Sequence, residues 1–168
     1  MNEPKKLIDT PSQTAGPFLH IGCAPRITGI NIFKIELGLT PFQDISDNEA
    51  INIKGKIYDG NDEPIIDAMI ETWQCDENGN YSSNQGFARI VTDFKTGEYQ
   101  LKTIRPGNKI NTDGSLSASY ITFWIVARGM NRPLITRMYF LENDLKNDLM
   151  LNSIKIEDGL NTLIPYTE

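Results

Sequence analysis

The chain has 168 residues, of which 39% are hydrophobic, so it is long and apolar enough for one domain with a buried core. Its 16 Lys and Arg residues and 22 Asp and Glu residues give a net charge of -6, which argues against general binding to nucleic acids or anionic membranes. The sequence shows no signal peptide or membrane span, and Cys23 and Cys75 are too few for a disulfide framework. These features predict a cytoplasmic protein with buried free thiols.

The first part of the chain predicts little regular structure. Residues 1–25 begin with a polar stretch rich in Pro, Ser and Thr and without apolar periodicity, so we expect an extended N-terminal arm. Residues 26–50 combine Gly and Pro with scattered apolar side chains. They predict an irregular linker with room for one short helix or strand.

Residues 51–140 are predicted to form the β-sheet core. Apolar and polar side chains alternate there, and turns rich in Gly, Asn, Asp and Pro separate the runs. The predicted strands are 51–57, 68–75, 87–92, 99–104, 120–127 and 134–140. The run 120–127 is the most apolar and is expected to be central, whereas 108–118 is predicted to be a polar loop. Six short strands at this spacing favour a β-sandwich or barrel over βαβ units.

Residues 141–168 are predicted to form a short tail of the same single domain. The two helix candidates in this tail are Glu142–Leu149 and Leu160–Ile164, because no other stretch comes closer to helical periodicity. We therefore expect an all-β fold with only short helical segments.

Motifs of the common enzyme classes are absent. The chain has no phosphate-binding Gly-Lys-Ser/Thr loop, no dinucleotide-binding glycine pattern, no nucleophile elbow and no cysteine pair at zinc spacing. His20 is the single histidine, so this chain alone cannot supply two histidines to a metal. We expect a structural histidine whose ring is satisfied by backbone groups, and a role as ligand or general base is the alternative.

The remaining polar side chains also favour structural roles. Most carboxylates lie in predicted turns, whereas Glu71 lies in an apolar strand and, if buried, needs a partner such as an arginine. Tyrosine phenolates suit ferric iron, but without a second histidine we expect core packing. Arg128 ends the central strand, where it either meets an anionic ligand or pairs with a carboxylate. The residues alone thus predict a soluble domain with no self-sufficient active site.

Several segments between residue 10 and about residue 140 resemble one enzyme family, in the order of that family. The segments are Thr10–Gly22, Gly55–Gly60, Pro64, Asp67–Ala68, Glu71–Gln74, Asp76–Tyr81, Thr92–Asp93, Gly97–Tyr99, Thr103–Gly107, Ala127–Met130 and Thr136–Phe140. This ordered set resembles the intradiol ring-cleavage dioxygenases, and in particular their α-type chains. The resemblance implies an intradiol-dioxygenase-type β-sandwich with an irregular N-terminal arm and a short C-terminal helical tail.

The resemblance also implies that this chain binds no iron. In the family, a β-type chain holds Fe(III) through two tyrosines and two histidines. The positions that match those ligands are Tyr81, Lys109, Tyr120 and Thr122, so only the first tyrosine is kept. We therefore expect the metal on a partner β-type chain, with Tyr81 in a packing role.

A positive role for the chain follows from the same resemblance. In the family, the α-type chain contributes its arm and an arginine to the substrate pocket around the partner's iron. The matching positions are Thr14, Gly16, Pro17, Phe18 and Arg128, with Phe18 where a tyrosine is common. Gly16 lacks a side chain and so allows the backbone to approach a ligand closely. The implied reaction is the O2-dependent cleavage of protocatechuate to 3-carboxy-cis,cis-muconate. The tail is shorter than in family α chains, which implies either a shortened variant or a sheet edge that a partner completes.

Two alternatives stay open. The first is a diverged, metal-free β-sandwich that binds or supports other molecules without catalysis, since the fold alone does not specify a function. The second is a self-sufficient iron enzyme, which the single histidine restricts to an unusual ligand set.

Overall fold

The computed structural model describes residues 11, 13–16, 18–32, 34, 38–140, 148–154 and 159–165. The helical elements are α1 (Phe18–Cys23), α2 (Leu149–Ser153) and a 3-10 helix (Leu160–Leu163). The strands are β1 (Ala50–Lys56), β2 (Met69–Trp73), β3 (Phe87–Val91), β4 (Glu98–Ile104), β5 (Lys109–Ile110), β6 (Leu116–Ser117), β7 (Tyr120–Val126) and β8 (Leu134–Tyr139). No helix within these described ranges is long and apolar enough to cross a membrane.

The strands form two main antiparallel sheets. Four strands pair in the order β3–β2–β7–β8, and β1 pairs with β4 in a second sheet. All six strands that alternation predicts are present, and β7 lies inside its sheet as expected. Strands β5 and β6 form a small hairpin inside the predicted loop 108–118. Two-residue strands are too short for an alternation to show in the sequence.

The core lies between the two sheets, because alternate side chains of each strand point to one face. Odd-numbered residues of β7, such as Ile121 and Phe123, point inward and are almost fully buried. Ile70 on β2 and Leu101 on β4 meet them from both sheets. The fold is therefore the predicted β-sandwich. The even-numbered residues of β7 face the opposite, outer surface of the four-stranded sheet.

A buried amide connects the two sheets just beyond the end of β2. The Gln74 side-chain nitrogen donates to the Ile104 carbonyl at 2.9 Å, and its oxygen accepts from the Thr103 hydroxyl at 2.7 Å. Because unpaired buried amides are unfavourable, these two bonds specify how the sheets meet at this end.

The linker covers the outer edge of β3. The Arg89 N–H donates to the Gly38 carbonyl and the Gly86 N–H donates to the Pro41 carbonyl, both at 2.7 Å. Gly38 has a φ of +84°, a conformation that favours glycine. In the described part of 26–50, no helix or strand occurs before Ala50.

The helical segments differ from the predictions. Helix α1 lies in the arm that was predicted to be extended, so this prediction is wrong for residues 18–23. The tail contains a 3-10 helix over most of Leu160–Ile164. Helix α2 begins at Leu149, the last residue of the candidate Glu142–Leu149, whose residues 142–147 lie outside the described ranges. Single-turn helices are too short for an apolar period to reveal them.

The outer face of the four-stranded sheet carries the ion pair that Glu71 was expected to need. Glu71 and Arg89 are opposite each other on β2 and β3. The Arg89 Nε and Nη2 atoms donate to one Glu71 oxygen at 2.8 and 2.5 Å. Both side chains are only partly buried, so the pair is a modest structural contact.

Candidate functional site

Two turns position the residues that match the metal ligands of the related dioxygenases. The Gly107 N–H donates to the Asp76 carbonyl at 2.8 Å, which holds the turn after β2 against the turn after β4. A Cβ added to Gly79 or Gly107 would collide with the backbone of the facing turn, so both positions require glycine. This close approach brings Tyr81 beside Lys109.

Tyr81 and Tyr120 form the centre of a cluster of phenols and cations. Their hydroxyl groups are hydrogen-bonded at 3.3 Å. The Lys109 ammonium lies 5.1 Å from the centre of the Tyr81 ring, and the Arg137 guanidinium lies 4.2 Å from the centre of the Tyr120 ring. Both are cation–π distances. We call these four residues, together with Tyr139, the phenol–cation cluster.

The strand register explains the composition of this cluster. Tyr120 is opposite Tyr139, and Thr122 is opposite Arg137 on β8 and opposite Trp73 on β2. All of these positions are on the outer face of the sheet, because the positions between them fill the core. The tertiary structure thus brings together the four predicted ligand positions and adds two residues of β8.

Burial favours the neutral form of two phenols of the cluster, Tyr81 and Tyr139. Burial, followed by the hydrogen bond with Tyr120, raises the pKa of the Tyr81 phenol above its ordinary value. Burial also raises the pKa of Tyr139, which is 1% exposed, although the Arg137 Nη1 donates to its hydroxyl at 3.3 Å and opposes the shift. These groups are therefore poor sources of phenolate near neutral pH.

This set of residues does not fit an iron ion. Ferric iron needs anionic or imidazole ligands, whereas Lys109 and Arg137 bring positive charge to the rings of Tyr81 and Tyr120. No group of three or more His, Cys, Asp or Glu residues that could hold a metal occurs within the described ranges. The four positions Tyr81, Lys109, Tyr120 and Thr122 are thus close in space but are chemically unsuited to the metal.

The single histidine lies apart from this cluster in α1. His20 is 6% exposed, and its ring packs edge-on against Phe94 at 5.7 Å. Its Nε2 has no hydrogen-bond partner among the described residues, so the expectation that backbone groups satisfy the ring is wrong for this nitrogen. Apolar packing against an aromatic ring takes the place of those bonds.

The two cysteines differ in their environment. Cys75 is buried as predicted, its Sγ lies 3.4 Å from the Gly107 carbonyl oxygen, and burial raises the pKa of its thiol. Cys23 is only half-buried, so the prediction of two buried thiols is wrong at this position. Both are free.

Arg128 and the N-terminal arm meet at the opposite end of β7. The Ala15 N–H donates to the Met130 carbonyl over 3.4 Å, a long hydrogen bond that marks where the arm crosses the turn after β7. The turn closes through the Met130 N–H and the Ala127 carbonyl at 3.1 Å, with Gly129 at a φ of +87°. Thr14 and Gly16 flank Ala15, so the arm and the arginine are close together.

An acidic neighbour orients Arg128. Its Nε forms an ion pair with the Asp67 Oδ2 at 2.6 Å, so the pairing with a carboxylate that the sequence left open does occur. The arginine side chain is 67% exposed and the Asp67 side chain only 18% exposed. Because the Arg128 side chain is largely exposed, its guanidinium remains accessible to another anion.

The other arm residues face outward. Thr14 is exposed, and Phe18 at the start of α1 is 79% exposed. A Cβ on Gly16 would meet no atom within 4 Å, so the space beside it is open. Pro17 lies outside the described residues.

The sequence did not single out three residues of these two regions. Arg137 was hidden because only the pairing of β7 with β8 places it over Tyr120. Tyr139 and Asp67 were overlooked because a lone tyrosine or aspartate next to a strand is common. The available signal for Arg137 was a charged side chain within a strand that is otherwise mostly apolar.

Comparisons with known proteins agree with the fold. A family model described as Dioxygenase matches residues 36–162. The protocatechuate 3,4-dioxygenase alpha chain of Pseudomonas putida is 36% identical over 167 residues, which cover 94% of this chain and 83% of that protein. The protein of the same name from Burkholderia cepacia is 29% identical over 163 residues, which cover 90% of this chain and 80% of that protein.

Solved structures show the same architecture. Catechol 1,2-dioxygenase from Pseudomonas arvilla C-1 has a TM-score of 0.58 and 21% identity, over 65% of this chain and 41% of that chain. Chlorocatechol 1,2-dioxygenase from Pseudomonas putida has a TM-score of 0.58 and 21% identity, over 66% of this chain and 54% of that chain. This chain matches only about half of either protein, and at this identity the likeness shows the fold alone. The match to the family model and the similarity to the alpha chains show that the chain belongs to the intradiol dioxygenase family.

Proposed function

We propose that the chain is the iron-free, α-type subunit of a cytoplasmic protocatechuate 3,4-dioxygenase. It pairs with a β-type subunit of that enzyme, which binds Fe(III). The assembled enzyme uses O2 to cleave protocatechuate between its two hydroxylated carbons and forms 3-carboxy-cis,cis-muconate. This chain contributes the arm residues Thr14, Gly16, Pro17 and Phe18 and the cation of Arg128 to the substrate pocket.

The contact between the arm and the turn that contains Arg128 is the observation that carries this proposal. Ala15 lies against Met130, in the turn that also contains Arg128, so two segments far apart in sequence form one outward-facing surface. The Asp67 carboxylate forms an ion pair with the guanidinium, which remains largely exposed. A carboxylate is well suited to bind a guanidinium, and protocatechuate carries one.

The length of β7 supports a site that is shared with another chain. The strand Tyr120–Val126 separates the phenol–cation cluster from the turn with Arg128, a distance of about 20 Å at the usual rise of a strand. Arg128 therefore cannot act at the cluster of its own chain. Its outward side chain is available to a pocket that a second subunit completes.

The chemistry of the phenol–cation cluster supports the assignment of the iron to the partner. Lys109 and Arg137 occupy positions over the Tyr81 and Tyr120 rings, and the Tyr81 phenol resists deprotonation. A cation that approached these groups would meet repulsion and weak ligands. The metal that the reaction requires is better placed on a chain with imidazole and phenolate ligands.

Exposed apolar side chains support a permanent partner. The largest exposures among the described apolar residues belong to Phe18, Ile32, Leu134, Ile135, Ile110 and Leu149. Apolar surface of this kind is typical of proteins that bury it against another subunit. We therefore expect the lone chain to be poorly stable and prone to associate.

Co-expression with the β-type chain from the same genome tests the proposal. We expect the two chains to co-purify as a coloured complex with one iron per pair of chains, and to consume oxygen with protocatechuate. Each chain expressed alone is the control, and the lone α-type chain should be colourless and inactive. Failure of the two chains to associate would contradict the proposal.

The alternative is a diverged, metal-free β-sandwich that binds or supports other molecules. The same family membership and the same degenerate ligand positions are compatible with it. It predicts a stable monomer or homo-oligomer that does not bind a β-type chain. Size-exclusion chromatography and thermal melting of the lone chain separate the two functions, because only the subunit should gain stability when the β-type chain is added.

A further inference from the structure

We propose that the phenol–cation cluster is a binding site for a small oxyanion, such as a carboxylate or phosphate. The site belongs to this chain alone and does not depend on the proposed pairing with a β-type subunit. It stands at the positions that match metal ligands in related proteins, but its chemistry is opposite, since it offers hydrogen-bond donors and positive charge.

The donors of the cluster outnumber its acceptors. Lys109 offers the three N–H groups of its ammonium, and Arg137 uses one of its N–H groups in its bond to Tyr139, the one hydrogen bond that it donates within the described part of the chain. Tyr81 donates its proton to Tyr120, which leaves the proton of Tyr120 free to be donated. Because the phenol of Tyr81 stays neutral, a bound anion would meet donors rather than phenolate charge.

No carboxylate among the described residues forms an ion pair with Lys109 or Arg137. Salt bridges in the described ranges engage other side chains, for example Glu71 with Arg89. Among the described carboxylates, Asp148 exerts an electrostatic effect on Arg137, and it raises the pKa of the guanidinium less than the nearby tyrosines do. The Asp148 carboxylate already accepts the backbone N–H groups of Ala118, Met150 and Leu151, at 2.8–3.0 Å, in capping α2. The Asp148 carboxylate is thus already hydrogen-bonded to the backbone and forms no ion pair with Arg137.

The cluster is reachable from solvent. Tyr81, Lys109, Tyr120 and Arg137 are all partly exposed, and only Tyr139 is fully buried beneath them. The ring of Trp73 stacks on Tyr81 at 6.1 Å and is itself 37% exposed. A carboxylate with a flat apolar body would thus find cations for its charge and an aromatic surface beside them.

Isothermal titration of the full chain with benzoate tests the site, with neutral benzamide as the matched ligand. We expect benzoate to bind and benzamide not to bind. Lys109→Met and Arg137→Met should each weaken benzoate binding by about tenfold or more, as expected for the loss of charge-assisted bonds. Lys109→Arg should retain binding. Lys54→Met, which removes an exposed charge from β1, is the control and should have no effect.

Competition with phosphate distinguishes the two sources of oxyanion. If phosphate displaces benzoate, the site recognises the charged group; if it does not, the site requires the carboxylate with its ring. Equal binding of benzamide, or benzoate binding that is unchanged in Lys109→Met, would overturn the proposal. Circular dichroism of each variant verifies folding. If Arg137→Met does not fold, Lys109→Met still decides the question, since the half-exposed Lys109 side chain has only a ring contact in the cluster.

Discussion

The two ends of β7 carry different kinds of surface. At its beginning, Tyr120 belongs to a group of phenols and cations that contact one another within the chain. At its end, the strand leads into the turn with Arg128, whose side chain is anchored by Asp67 but otherwise points outward. The same strand therefore supplies a partly enclosed cluster at one end and an open, oriented cation at the other.

This difference indicates how one fold can support two roles in a shared enzyme. Lys109 and Thr122 stand at positions that the family resemblance matches to metal ligands, and their chemistry does not suit a metal. In the proposed enzyme, the arm and Arg128 would need no metal of their own, because a second subunit would bring one. Loss of catalytic ligands at one end is thus compatible with a retained function at the other.

The largest expected effect comes from removing the cation of Arg128. In the assembled enzyme, Arg128→Ala should lower kcat/KM for protocatechuate by about 10- to 150-fold, the equivalent of about 1.5–3 kcal/mol for hydrogen bonds to a charged group. Steady-state oxygen uptake measures this change. Arg132→Ala, an exposed arginine four positions later, is the control. Unchanged kinetics of Arg128→Ala would remove this residue from the pocket.

The phenols at the other end of β7 predict a loss of stability at alkaline pH. The folded protein raises the pKa of Tyr81, so this phenol ionises at a lower pH in the unfolded chain than in the folded protein. Its contribution to the free energy of unfolding is therefore complete below about pH 10 and is lost progressively above it. Urea unfolding between about pH 8 and 11 should show a fall of up to about 1.4 kcal/mol per pH unit for each such phenol.

Two variants test whether this fall in the free energy of unfolding comes from the cluster. Tyr81→Phe should make the decline above about pH 10 shallower, because it removes one ionisable phenol from the interior. Tyr58→Phe changes an exposed tyrosine and is the matched control. If both variants decline like the unmodified protein, Tyr81 is not the group that titrates.

A smaller effect is expected from the anchor of Arg128. Asp67→Ala should raise KM for protocatechuate by about two- to fivefold, because a partly exposed ion pair contributes about 0.5–1 kcal/mol to holding a side chain in place. kcat should change less, since the guanidinium is still present. Glu63→Ala, an exposed carboxylate nearby in sequence, should leave KM unchanged. An unaltered KM in Asp67→Ala would mean that Arg128 needs no positioning.

A similarly small effect is expected from the contribution of Lys109 to stability. Lys109→Met should lower the free energy of unfolding by about 0.5–1 kcal/mol, because it removes one cation–π contact with the Tyr81 ring. Thermal melting detects a change of this size as a small fall in Tm. Lys54→Met is again the control. An increase in stability would contradict this expectation, because it would show that the Lys109 ammonium destabilises the fold.

The sequence predicted the sandwich well because strand alternation is a local signal. Ile51, Ile53 and Leu101 follow the period of two that a half-buried strand requires, and their strands form where expected. Glu71 was correctly expected to need an arginine, but only the register of β2 and β3 identified Arg89. Helix α1 was missed because six residues hold less than two turns.

Residue types alone limited what this chain can ligate, since a single histidine restricts metal chemistry wherever the chain folds. Only the tertiary structure decided which groups share a site. Strand pairing placed Arg137 over Tyr120, and the turn after β7 brought the arm to Arg128. The physical reason is that local periodicity specifies which face a side chain occupies, whereas distances between remote residues depend on how the sheets and turns pack together.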